Sequence, residues 1–236
     1  MAEPESGVTR QIAGLDAAFE VQRAASRRHA APAAAERKAH LGAICRLLLE
    51  NGDAIVAALD ADFGHRSSHE TRLLEIFPAL EAAKHARAHV GRWMSPERKS
   101  SSFWFRPGRS RIVKQPLGVV GVIVPWNYPV YLALGPLAAA LAAGNRVMIK
   151  MSEFTPHTGA LLSQLLAEHF ERDRVAVVNG DVAVAQAFSA KPFDHLLFTG
   201  STAVGHEVMR AAAGNLTPVT LGLGGKSPAS SGPDLP

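Results

Sequence analysis

A single cysteine, Cys45, stands among 236 residues, so no internal disulfide can form. It lies beside Ile44, Leu47 and Leu48 at helical spacing. That setting reads as a small buried residue, because a nucleophilic thiol wants an accessible, electropositive site. Long apolar runs are missing as well. Residues 131–143 form the nearest candidate, short of the ~20 a membrane helix needs, and Gly144–Asn145 stops it. The N-terminal MAEPESGVTRQ lacks the charged-then-apolar order of a secretion signal. These absences point to a soluble, cytoplasmic protein. Charge of one sign is scarce too: +4 net, scattered, with a sequence pI near 9.5, argues against a nucleic-acid partner. Residues 98–114 gather basic side chains around Phe103, Trp104 and Phe105 and could follow a nucleic-acid backbone. An exposed amphipathic strand pair turning at Pro107–Gly108 is the stronger reading.

Several chemical signatures are absent. There is no G-x-G-x-x-G dinucleotide fingerprint; Gly200 and Gly205 bracket a looser spacing. Gly225–Lys226–Ser227 imitates the end of a P-loop, but that motif needs glycine where Thr220 stands and a helix where Pro228 follows. His206–Glu207 lacks the second histidine of a zinc protease. The pairs His65/His69 and His85/His89 have one-turn spacing without a cysteine or carboxylate set, so no metal site is expected.

What is present is a chain 47% hydrophobic, enough for a sizeable core. The first hundred residues read as helical. Residues 33–49 carry apolar side chains at helical spacing, 54–59 continue the pattern, and Ser68 is a plausible N-cap for a helix running to Trp93. Pro78 should kink that helix or mark an irregular turn. From Gly118 the pattern alternates. Apolar runs at 118–124, 146–150, 175–179, 195–199 and 218–223 are separated by helical stretches at 129–143, 156–170, 182–190 and 203–213. This is a β-α alternation, hence a parallel five-stranded sheet with flanking helices. Gly144–Asn145 should stop the first helix, Thr155 should cap the second, and Ser201 or Thr202 the last.

The strand ends carry polar and glycine residues: Asn127, then Lys150 with Ser152 and Glu153, then Asn179–Gly180, Thr199–Gly200–Ser201, and Gly222–Leu223–Gly224–Gly225. In open parallel sheets ligands sit beyond these ends, and glycines before a helix admit a pyrophosphate. Together they favour dinucleotide binding over scaffold loops.

The segments PWN (125–127), KMSEFTP (150–156), FTGSTAVG (198–205) and LGLGGKSP (221–228) resemble the aldehyde dehydrogenase superfamily in motif, order and spacing. The wording of 116–129, 142–150 and 192–205 is most similar to the class-three-like branch that includes coniferyl-aldehyde dehydrogenases. The resemblance implies a Rossmann-like α/β fold. It divides the chain into an N-terminal helical part (1–100), a strand pair of the oligomerisation region (101–117), an NAD(P)-binding core (118–225) and the start of a catalytic domain (226–236). It implies that Asn127 stabilises an oxyanion, a contribution of ~3 kcal/mol in comparable sites. Lys150, with Ser152 and Glu153, would hold the adenosine ribose. Gly200, Ser201 and Gly205 would lie under the pyrophosphate, with Gly180 and Leu223 also near the cofactor. Pro125 and Trp126 would wall its cleft. NAD (or NADP) is the implied cofactor, an aldehyde the substrate, and a homo-oligomer the assembly, with its pairing strands incomplete here.

The departures from the family pattern carry equal weight. Gly222 stands where the family's general-base glutamate is expected, and no cysteine occupies the nucleophile's place. Met151 replaces a usual proline and Asp181 a common glycine, changes expected to perturb cofactor affinity. The expectation is a truncated, inactive coenzyme-binding part, with a non-catalytic nucleotide- or partner-binding module as the alternative.

Overall fold

The computed structural model of the chain describes residues 7–29 and 31–225. The expectation for 226–236, Lys226 included, lies outside them. The first part is helical, as the periodicity requires: α1 (Gly7–Arg28), α2 (Ala34–Glu50), α3 (Gly52–Phe63), α4 (Ser68–Thr71) and α5 (Phe77–Trp93). Pro78 marks an irregular turn. It sits in the first turn of α5, and a π-helical turn, Arg72–Ile76, widens the chain just before it. Proline offers no N–H, so the preceding turn cannot keep a regular ladder there. Ser68 is not the cap; it is the first helical residue, and Ser67 at the cap position makes no side-chain bond.

A short antiparallel pair, β1 (Glu97–Lys99) and β2 (Ser110–Ile112), then stands out with every residue exposed. An exposed strand pair is present, but its placement is corrected: β1 lies within the part expected to be helical and before 101, and Phe103–Phe105 form a 3-10 turn in the connection. Pro96 has already ended the helix, and Pro107 keeps a strand from starting there.

The core is a five-stranded parallel sheet of order β5-β4-β3-β6-β7, built from β3 (Val119–Ile123), β4 (Arg146–Lys150), β5 (Val175–Val178), β6 (His195–Gly200) and β7 (Val219–Leu223). Helices α6 (Pro129–Ala143), α7 (Pro156–His169), α8 (Val182–Ser189) and α9 (Thr202–Ala213) make the crossovers. The strand order reverses between β3 and β6, which creates the crevice at which such sheets take ligands. Alternation along the central strands divides the core in two. Val120 and Val122 of β3 pack with α2, α5 and α6, while Val119 and Ile123 pack with α1, α8 and α9. Gly121, on the second face, leaves room for Phe193: an added Cβ would meet its ring at 2.8 Å.

The connections are fixed by polar side chains. Gly144 (φ 92°) ends α6 in the left-handed conformation, as expected of a helix stop. Asn145 Oδ1 accepts from the backbone N–H groups of Leu117 (2.7 Å) and Gly118 (3.1 Å), and Asp194 Oδ2 from Val119 N–H (2.7 Å). The expected cap of α7 is corrected. Thr155 occupies the position but makes no capping bond; Asp62 at the end of α3 accepts from His157 N (2.9 Å) and Thr158 N (2.8 Å) instead. A carboxylate at a helix N-terminus gains from both the bonds and the dipole, and here it also ties α3 to α7.

His40 of α2 lies near Arg174, Glu36 and Arg146. Burial, then Arg174 and Arg146, push its pKa below the usual imidazole value, with Glu36 opposing. A folded-state pKa below the unfolded one means the unfolded chain takes the proton first as pH falls through 6.5. The melting temperature should therefore drop more between pH 7 and pH 5 for the natural chain than for His40→Gln, as read by circular dichroism.

Candidate functional site

The crevice is bounded on one side by the loop that follows β3. Asn127 is exposed there, and its backbone carbonyl accepts a bond from Arg66 Nη1 at 2.8 Å. Pro125 is half-buried. Trp126 is exposed and its ring lies 6.1 Å from that of Phe63 on α3, tilted by 38°. The loop leads into α6, whose first N–H groups are held by a carboxylate: Glu75 Oε2 accepts from Val130 (2.6 Å) and Tyr131 (3.2 Å). Proline at the first turn of α6 costs no hydrogen bond, so Pro129 suits this sharp strand-to-helix change.

At the end of β4, Lys150 is turned inward. It is 1% exposed, and Nζ donates to the carbonyls of Met151 (2.7 Å) and Gly180 (2.8 Å), with Glu153 at 3.9 Å. Burial lowers its pKa, against the attraction of Glu153 and Asp181. The ammonium thus braces the ends of β4 and β5 rather than projecting into solvent. Glu153 is exposed beside it, and Ser152 Oγ accepts from Phe154 N at 3.3 Å. Gly180 has φ 143°, a backbone that side chains rarely adopt, and this conformation presents its carbonyl to Lys150.

At the end of β6, Gly200 leads into α9. Ser201 is the N-cap, its Oγ accepting from Val204 N at 3.3 Å, so the second of the two expected caps, Thr202, is the first helical residue. The first N–H groups of a helix have no partner within it, so the exposed start of this 12-residue helix is an electrostatically favourable place for an anion. Gly205 lies one turn in, and an added Cβ would meet Leu223 at 2.8 Å. Between α8 and α9 runs a largely apolar cleft of about 460 Å³, walled by Ile123, Val182, Phe198 and Val204, with Gln186, Ser189, Glu207 and Arg210 as polar lining. Asp181 is the N-cap of α8, accepting from Ala183 (3.0 Å) and Val184 (3.3 Å), so this departure has a structural purpose.

Gly222 lies on β7 next to Thr199 of β6, and a Cβ there would stand 3.1 Å from Thr199 Oγ1. Cys45 is 8% exposed inside the core that α2 shares with α5 and α6, and burial raises its thiol pKa. Neither feature makes a nucleophile of it. Among the described residues no cluster of three or more His, Cys, Asp or Glu is placed to hold a metal.

The crevice therefore gathers Asn127, Gly200, Ser201 and Gly205 about the switch point. Lys150, Glu153 and Gly180 form a second group along the β4–β5 side. The sequence reading missed Arg66, Glu75 and Asp62, the charged residues that hold the loops. A lone carboxylate inside the apolar run Leu73–Phe77 is the signal that could have found Glu75.

The aldehyde dehydrogenase family profile matches residues 9–231. A probable coniferyl aldehyde dehydrogenase of Pseudomonas aeruginosa is 55% identical over 226 residues, 96% of this chain and 48% of the relative. A coniferyl aldehyde dehydrogenase of another Pseudomonas is 53% identical over 193 residues, 81% of this chain and 40% of the relative. Among solved structures, Mycobacterium tuberculosis aldehyde dehydrogenase complexed with NAD+ superposes with a TM-score of 0.82 at 34% identity, covering 92% of this chain and 44% of that one. An NAD-dependent benzaldehyde dehydrogenase from Corynebacterium glutamicum gives 0.79 at 32%, covering 90% and 46%. The chain spans about half the length of the curated relatives it matches. With the profile matched along nearly the whole sequence and the strand-end motifs in register on a Rossmann-like sheet, the chain belongs to the aldehyde dehydrogenase family.

Proposed function

We propose that this chain is the coenzyme-binding part of an NAD(P)-dependent aldehyde dehydrogenase acting on aldehydes of aromatic type such as coniferyl aldehyde. The observation that carries the reading is the switch-point crevice, framed by the Asn127 loop on one side and the Ser201-capped start of α9 on the other. The relatives named for coniferyl aldehyde and benzaldehyde support the substrate class.

The residues fit a dinucleotide. The pyrophosphate would lie on the free N–H groups of α9, the adenine in the apolar cleft between α8 and α9, and a ribose beside Glu153. Lys150 would act by holding the Gly180 turn and keeping a positive charge behind Glu153. The exposed Glu153 carboxylate would repel a 2′-phosphate, which favours NAD over NADP. The bound cofactor supplies the hydride acceptor. Asn127 Nδ2 would donate to the oxygen that gains charge when an aldehyde carbon is attacked. The exposed β1–β2 pair would join other subunits in a homo-oligomer.

A second reading, a nucleotide-binding module without catalysis, is favoured by Gly222 and by the buried state of Cys45. Both readings require NAD binding, which titration calorimetry measures. Ser201→Asp keeps a good N-cap but sets a negative charge where the pyrophosphate would sit, so NAD affinity should fall at least about tenfold (some 1.4 kcal/mol) with the melting temperature unchanged. Unaltered affinity in Ser201→Asp would move the cofactor elsewhere. No heat at millimolar NAD from the natural chain would refute the cofactor reading.

A further inference from the structure

Arg66 and Glu75 have no part in the reading above, yet they are the most deeply buried ion pair in the neighbourhood. The Arg66 side chain is 5% exposed and that of Glu75 0%. The guanidinium lies between two rings, 4.6 Å from the centroid of Phe63 and 4.7 Å from that of Tyr128. Its Nη1 donates to the Asn127 carbonyl at 2.8 Å, and its Nη2 stands 3.1 Å from Glu75 Oε1 and 3.5 Å from Glu70 Oε1. The other oxygen of Glu75 holds the N–H groups of Val130 and Tyr131. Tyr128 closes the ring of contacts by donating to Glu70 Oε1 at 3.2 Å.

Four of the five residues from Asn127 to Tyr131 are thus tied, directly or through one intermediary, to this pair. A buried pair with such ties is costly to desolvate, and hydrophobic substitutes of equal volume would serve stability as well or better. A planar cation with a fixed fork is suited to a different task, holding a carbonyl and a carboxylate in one geometry while stacking on rings. Holding the Asn127 carbonyl fixes the peptide plane that follows it and therefore ψ of Asn127.

We propose that Arg66, braced by Glu75, is a positioning residue that sets the direction in which the Asn127 amide leaves the loop. The proposal rests on the reading of Asn127 as the oxyanion donor. Arg66 touches no substrate; it acts through the backbone of Asn127. Glu75 in turn is held by the N-terminus of α6, so the strand-to-helix corner and the amide direction are one unit.

The test labels the full chain with ¹⁵N-asparagine and follows the side-chain amide signals of Asn51, Asn127, Asn145, Asn179 and Asn215 without cofactor. The Asn127 pair is identified by its disappearance in Asn127→Ser. In Arg66→Met the Asn127 pair should shift or broaden beyond detection while the other four stay in place. The same should hold for Arg66→Lys, which keeps the charge and the fold but cannot bridge carbonyl and carboxylate together. Arg72→Met, removing an exposed arginine paired with Asp53 beside Asn51, should leave the Asn127 pair unmoved. An Asn127 signal at its natural position in a folded Arg66→Met or in Arg66→Lys would overturn the proposal. The readout needs no NAD, so a failure of cofactor binding leaves it decisive, and an unmoved Asn127 leaves the NAD titration intact.

Discussion

Mixed with NAD and an aromatic aldehyde, the 236-residue chain is expected to release no NADH above the rate seen without protein. Oxidation by this family's chemistry needs a thiolate that attacks the aldehyde and a base that moves protons. The sequence has one thiol, and it is buried in the wrong place with a raised pKa. Removing a nucleophile costs roughly 10⁶-fold in comparable covalent enzymes, a loss that binding and oxyanion stabilisation do not offset. Gly222→Glu is expected to fold, because the added Cβ needs only a few tenths of an ångström from Thr199, and it too should give no turnover. NADH appearing in an absorbance assay of the natural chain would refute this account. Its appearance in Gly222→Glu alone would also refute it, because that variant gains a base but no thiol.

Gly118→Ala should be the most damaging of the small substitutions. Gly118 has φ 140°, and an added Cβ would collide with the Asp194 carboxylate. That carboxylate holds Val119 N–H at the entry of the central strand. The backbone conformation costs about 1–3 kcal/mol with a side chain, and losing the charged hydrogen bond a further ~1.5–3 kcal/mol. At ~2–4 °C per kcal/mol for a domain of this size, the melting temperature should fall by roughly 10 °C. Gly64→Ala separates the two causes. Gly64 has φ 83° with nothing within 4 Å of its added Cβ, so it should show only the backbone cost. Equal losses for the two variants, by circular dichroism, would remove Asp194 from the explanation.

The centre of the sheet was legible in the sequence because β3 and β4 are buried on both faces. The run 118–124 admits only valine, isoleucine and glycine, and turn residues bound it at each end. The positions of the strand-end residues followed from the same runs, because a run that fixes a strand also fixes where it stops. The supports were not. Asp62 caps a helix that begins nearly a hundred residues later, and nothing local to Thr155 announces that. Lys150 looked like a side chain aimed at a ligand, because periodicity says where a residue sits but not whether its long stem folds back onto carbonyls. Arg66 and Glu75 come from different elements and meet only in the folded chain. The strand pair was expected to be exposed, and β1 and β2 are exposed at every residue; what the pattern misplaced was the first strand, which lies at Glu97–Lys99.

Asn145 has a consequence for the order in which the fold forms. It follows Gly144, which ends α6, and its side chain grips Leu117 and Gly118, 28 and 27 residues earlier, while Arg146 N–H bonds the Gly118 carbonyl at 2.9 Å. The segment from β3 through α6 to β4 is therefore a closed ring of chain. It can be completed without contributions from β6 or β7. Closing a ring of that length costs little more entropy than closing a short one. A unit of low sequence separation is what fast folding selects. By this logic the β3–α6–β4 unit is expected to form before the later strands join it, which a high φ-value for Asn145→Ala would read out and a φ-value near zero would refute.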